Sequence, residues 1–194
     1  MRSKIVYFGF VLLAVCGLRL IADAQDSRAM SQAERITGDR FPVMASTPHG
    51  AAIFAVRPPS AAMLDAVDKG LADLFAVARK NGYYRGLNFS NYTVFIATPD
   101  RMKDADGRYS PDIAVGAAQY AGTEYDKGGY IYAAGMVISN SPMAFVIAEH
   151  NADASRVSDL VRYEGEHLVL YQNDRRRYEA TKDHSRGGGH PILR

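Results

Sequence analysis

Cysteine is all but missing: the only one, Cys16, lies in an apolar stretch near the N-terminus. Tryptophan is absent, and neither sign of charge dominates, with 23 Lys and Arg against 21 Asp and Glu. That balance lacks the basic excess of proteins that coat nucleic acid, so nucleic acid is not an expected partner. No glycine loop followed by Lys and Ser or Thr is present, so there is no phosphate-cradling signature. Gly-x-Ser-x-Gly is missing as well, and with it any sign of a nucleophile elbow. The longest apolar run falls short of the ~20 residues that cross a bilayer as a helix. What the chain does have is 194 residues, 47% of them hydrophobic, enough for one ordinary domain with a buried core.

The apolar run stands at the start. Arg2 and Lys4 precede Ile5 to Leu18, and Ala22-Asp23-Ala24 follows as a small-x-small cleavage pattern. This is the layout of a secretory signal peptide, predicting export, to the periplasm or outside the cell. The alternatives are an uncleaved anchor helix and a lipoprotein modified at Cys16. Cleavage after Ala24 would leave 170 residues with 20 basic and 20 acidic side chains, no cysteine, and no stable membrane span. An exported domain without cysteine has no disulfides and depends on its core. Thiol catalysis and cysteine-ligated zinc are excluded for that mature form.

Residues 25–48 read as a loose polar leader, and 49–194 as a single domain. Ala51 to Val56 reads as a strand before Pro58-Pro59. Ser60 caps a helix in which Leu64, Val67, Leu71, Leu74, Phe75 and Ala78 recur at helical spacing, ending at Lys80-Asn81-Gly82. Gly70 sits inside that helix at a cost of about 1 kcal/mol relative to Ala. Tyr92 to Ala97, Ile113 to Val115, Tyr130 to Ser139 and Met143 to Ala148 read as strands. The last two, joined by Asn140-Ser141-Pro142, form an antiparallel hairpin. A second helix spans Ser155 to Gln172, and a glycine-rich tail follows. The order predicts an α+β fold: one domain, a partly antiparallel sheet and two main helices, the second carrying the candidate site.

Asp104-Ala105-Asp106-Gly107 has the composition of a calcium loop but not its spacing, because an EF-hand loop needs Gly at position six and Glu at twelve. Tyrosines gather near glycines from Tyr83 to Tyr132, a composition that suits ordinary strands or a groove for carbohydrate or peptide. The second helix is more informative. On a helical wheel Val157, Leu160, Val161, Leu168 and Tyr171 share one face, with Glu164 at its centre and His167 at its shoulder. Glu166 points to the solvent side. A carboxylate inside an apolar stripe is costly unless paired, protonated or metal-linked. An arginine such as Arg162, or one of Arg175 to Arg177, could supply an ion pair.

Four of the five histidines, His150, His167, His184 and His190, lie in the last quarter of the chain. Gly187-Gly188-Gly189 permits a sharp turn that brings His184 and His190 together. Zinc accepts His and carboxylate ligands, commonly three from the protein in an open site. Tyr163-Glu164-Gly165-Glu166-His167 resembles the active-site helix of zincin metallopeptidases, whose motif is His-Glu-x-x-His. The resemblance implies Glu164 as general base and His167 as a metal ligand. It departs at Tyr163, where the family carries its first histidine, and a neutral phenol is a poor zinc ligand. Either His184 or His190 completes the site, or the protein is zincin-like without peptidase activity.

The resulting expectation is an exported metal-binding protein acting as a metal-dependent hydrolase on an unidentified small molecule or peptide. His167, His184 and His190 would bind a divalent metal, zinc first, with Glu164 as general base and Tyr163 and Asp183 in support. The competing expectation is a non-enzymatic binding or structural module in which Glu164 and the tail histidines are structural.

Overall fold

The computed structural model describes residues 27–99, 112–116, 130–150, 153–182 and 189–194. The N-terminal apolar run with Cys16, the Asp104–Gly107 loop, Asp183 and His184 lie outside the described residues. The chain forms a helix over residues 27–37 (α1), strands Val43–Ser46 (β1) and Ala52–Ala55 (β2), and helix Ala61–Lys80 (α2). Strands Tyr92–Ala97 (β3), Ile113–Gly116 (β4), Tyr130–Ala133 (β5), Gly135–Asn140 (β6) and Met143–Ala148 (β7) follow. Helices Ala154–Asn173 (α3) and Arg175–Thr181 (α4) precede the tail.

The expected α+β domain is present, as a five-stranded mixed sheet in the order β1-β2-β3-β7-β6 packed against α2 and α3. The outer pairs β1–β2 and β6–β7 are antiparallel, the latter being the expected hairpin. The central pairs β2–β3 and β3–β7 are parallel, with α2 carrying the chain back between β2 and β3. All six residues of β3 and all six of β7 are buried, as a strand covered on both faces requires. On one face Ile53, Val94, Ile96, Phe145 and Ile147 pack with α2 and α3. On the other, Phe95, Ala144 and Val146 meet Ala29, Ala33 and Ile36 of α1 together with Phe41.

Two sequence readings are corrected here. The segment 25–48, expected to be loose, holds α1 and β1; the inward positions of α1 are two alanines and one isoleucine, too little apolar bulk to stand out in the sequence. Tyr130 to Ser139 is not one strand: it breaks at Ala134, so that β5 pairs with β4 in a separate two-stranded sheet while β6 pairs with β7. Among the described residues no helix is long and apolar enough to cross a membrane.

The ends of α2 follow their local chemistry. Ser60 Oγ accepts the Met63 N–H at 3.2 Å, and Gly82, with φ of 76°, takes the chain out beyond Asn81. The two long helices approach closely at two glycines. A Cβ on Gly70 would lie 2.4 Å from the Ser158 carbonyl oxygen and 2.8 Å from Val161 Cβ. One on Gly165 would lie 2.4 Å from Leu74 Cδ2. Gly70, a cost to the isolated helix, is therefore what lets α2 seat against α3. Gly70→Ala should destabilise the domain by about 1–3 kcal/mol despite its better helix propensity, because backbone must move. Gly165→Ala should cost less, since a leucine tip can rotate away. Thermal melts of the two variants check the order.

Candidate functional site

Helix α3 begins on an Asp153 cap and is buried without interruption from Glu164 to Leu170. An amphipathic helix on a flat surface would show solvent every turn. This stretch does not, because three partners surround it: α2 at Gly165, β6 at Glu164, and the returning tail at Glu166.

Glu164 is buried where the wheel places it, 8% exposed. Its side chain lies against the edge strand at Gly135, where a Cβ would come 2.8 Å from Glu164 Cγ. Glycine at 135 makes the room for this carboxyl. Burial pushes the Glu164 carboxyl up to about 7, with His190 pulling it down and the neighbouring Glu166 carboxylate pushing it further up. Such a group exchanges its proton near neutral pH.

Glu166 corrects the wheel. Expected in solvent, it is fully buried. Its Oε1 pairs with Arg162 Nη2 at 3.3 Å, its Oε2 accepts the Ile192 N–H at 2.6 Å, and His190 Nδ1 lies 3.5 Å from the same oxygen. The physical reason is the tail, which covers the side of α3 that the helix alone would leave to water. The ion pairs of this cluster thus go to Glu166 rather than Glu164. Arg162 serves the adjacent acid, and Arg177 Nη2 donates to the Ile192 carbonyl at 2.7 Å.

His167 is buried, and the tail brings His190 to it: the two imidazole centroids are 4.8 Å apart at an interplanar angle of 76°. Tyr163, one turn before His167, stacks on His190 with centroids 5.4 Å apart and 14° between planes. Arg162 lies 5.3 Å from the Tyr163 ring centroid. The tail is fixed further by Arg162 Nη2 donating to the Leu193 carbonyl at 3.0 Å and by Leu193 itself, which is fully buried in the core. Of the expected site residues, then, Tyr163, Glu164, His167 and His190 come together, while Asp183 and His184 lie outside the described residues. His150 does not join them. It accepts a hydrogen bond from Arg156 Nε at 3.2 Å in the first turn of α3. Arg156 and His167 are separated by roughly 16 Å along the helix axis.

Sequence reasoning passed over Glu166 and Gly135 as members of the site, and it offered Arg162 and Arg177 as ion-pair partners of Glu164, whereas they serve Glu166 and the Ile192 carbonyl. One signal was available: Arg162 and Glu166 stand at i and i+4, the spacing of a helical ion pair. Nothing local marks Arg177 or Gly135, whose partners are remote in sequence.

The cluster therefore holds two carboxylates, one of them titrating near neutrality, and two imidazoles in ring contact. Among the described residues no group of three or more His, Cys, Asp or Glu is arranged to hold a metal ion. Comparison of the chain with protein-family models, with curated proteins and with solved structures finds no match.

Proposed function

We propose that the chain is an exported, zincin-like metal-binding protein that hydrolyses a small molecule or peptide, with its centre at the junction of α3 and the tail. The observation that carries this reading is the return of His190 to the His167 ring beside Glu164. Two imidazoles from separate chain segments are in ring contact next to a buried acid, and imidazole and carboxylate are both zinc-binding groups. His167 and His190 would hold the ion, and His184 is the remaining histidine for a third position. A zinc ion there, when bound, supplies Lewis-acid polarisation of a substrate oxygen. The chain's own part is proton transfer: Glu164, with a carboxyl titrating at about 7, accepts and returns a proton near neutral pH, as a general base should. Tyr163 packs against His190 and so occupies the place of the missing histidine with an orienting ring. The N-terminal apolar run and its Ala22-Asp23-Ala24 pattern support export.

A second reading has its own support. Glu166, Arg162, Arg177 and the tail backbone are joined by an ion pair and hydrogen bonds that hold the tail on α3, as a structural module would. Metal analysis separates the two. The purified protein should carry about one zinc per chain, the stoichiometry of a single three-ligand site. His167→Ala should lose it while melting cooperatively. A wild-type protein that neither carries zinc nor takes it up on titration would leave the structural module as the reading.

A further inference from the structure

The last residues of the chain do more than fill a groove. Three backbone groups of two adjacent residues are each taken by a charged side chain: Ile192 N–H by Glu166, the Ile192 carbonyl by Arg177, and the Leu193 carbonyl by Arg162. Charged hydrogen bonds to backbone read no side-chain identity; they fix where the backbone runs. Leu193, fully buried, sets the register, because slipping by one residue would expose it. Further out, Asn81 at the end of α2 donates from Nδ2 to the Arg194 carbonyl at 3.0 Å. Two of the three charged contacts come from α3, the helix that bears Glu164 and His167, and the third comes from α4, which follows it directly. His190 stands two residues before the first clamped group.

We infer that Pro191–Leu193 is a strap that delivers His190 to His167, and that Arg162, Glu166 and Arg177 are positioning residues for the centre. The inference rests on the reading of His190 as a metal ligand in one respect only: what the delivered imidazole is for. Its placement is a separate matter. Partners that orient a ligand from outside the coordination sphere typically set metal affinity by 10–100-fold. A strap held by side chains alone would leave His190 free to swing, whereas backbone clamps on both sides of Ile192 do not.

The test uses the full chain with two variants and two readouts. Arg177→Met removes one clamp from a half-buried position and should leave the fold intact. Leu193→Ser removes the register anchor. Zinc affinity is read by chelator competition, and the placement of His190 by its rate of modification with diethyl pyrocarbonate in metal-free protein, site by site in a mass spectrometer. His49, whose side chain is 66% exposed, is the internal reference. In the wild type His190 should label far more slowly than His49. In both variants it should approach the His49 rate, and zinc binding should weaken roughly 10–100-fold, with Arg177→Lys restoring part of it. If Leu193→Ser does not fold, Arg177→Met carries the test. Protection of His190 in wild type, lost in the variants, with no zinc bound by any of them, would support the strap and remove the metal reading. His190 labelling as fast as His49 in wild type would overturn the strap, as would zinc affinity and protection both unchanged in Arg177→Met.

Discussion

Glu166→Gln should destabilise the metal-free protein by about 3 kcal/mol at pH 7, and Glu164→Gln should not. Removing one partner of a buried ion pair costs about 3–5 kcal/mol, since the other charge is stranded. Two features place Glu166 at the lower end. The Arg162 side chain keeps 19% exposure, so water partly compensates it. Glutamine can also still accept the Ile192 N–H through its amide oxygen. In a domain of this size the loss corresponds to a melting point lower by roughly 6–12 °C. Urea unfolding at pH 7 checks it. A change below about 1 kcal/mol, the range of an exposed pair, would show that the Arg162–Glu166 contact is solvated in solution. The expectation is the reverse of what a helical wheel predicts, where Glu166 is a silent control.

That reversal shows how far the sequence could be read. Strand β3 was legible to the residue, since Tyr92 to Ala97 combines β-branched and aromatic side chains and stops at Thr98-Pro99. Helix α2 was legible because a Ser60 cap, an apolar repeat and a glycine exit agree. The buried position of Glu164 followed from periodicity alone. What failed was everything that depends on who covers whom. A wheel gives one helix two sides, core and water, whereas α3 has a third partner that arrives more than twenty residues later in the chain. The parallel pairing of β2, β3 and β7 is likewise set by long crossovers that leave no local mark. Gly70 read as a flaw because its benefit is a contact with Ser158 and Val161, visible only once two helices are side by side. Helix α4 was missed although Asp174 accepts the Arg177 N–H at 2.9 Å as its cap, because the run of arginines after it has no apolar stripe. His190, one of the two tail histidines that the sequence singled out, does lie against the His167 ring, while the glycine turn argued to bring it together with His184 lies outside the described residues.

Glu164→Gln is expected to do the opposite of Glu166→Gln, with a gain that grows as pH rises from about 4.5 to about 7. Burial is the main cause of the raised Glu164 carboxyl, which titrates at about 7 in the folded protein against 4.5 when exposed. Between those values the folded protein holds a proton that the unfolded chain has released. Stability from this group is therefore full below about pH 4.5 and is lost as pH rises through about 7. At 1.36 kcal/mol per pH unit the whole loss is roughly 3 kcal/mol, an order-of-magnitude figure. Glutamine resembles the protonated acid in shape and charge. The variant should match the parent near pH 4 and exceed it by roughly 3 kcal/mol above pH 8. Taking the difference between variant and parent at each pH cancels, to first order, the titration of neighbouring groups. A constant difference across that range would mean that Glu164 is solvated and is not the buried acid described. If Glu164 is also the general base, the same stabilised variant should lose about 10²–10⁴-fold in hydrolysis. A gain in stability coupled to a loss of activity is what a residue held in an unfavourable environment for its chemistry produces. A purely structural carboxylate at this position would bring the first effect without the second. Two glutamates on one turn of α3 thus give opposite signs in the same substitution, because Arg162 supplies a cation and the tail a backbone donor to Glu166, whereas Glu164 is buried against β6 with burial as the main influence on its carboxyl.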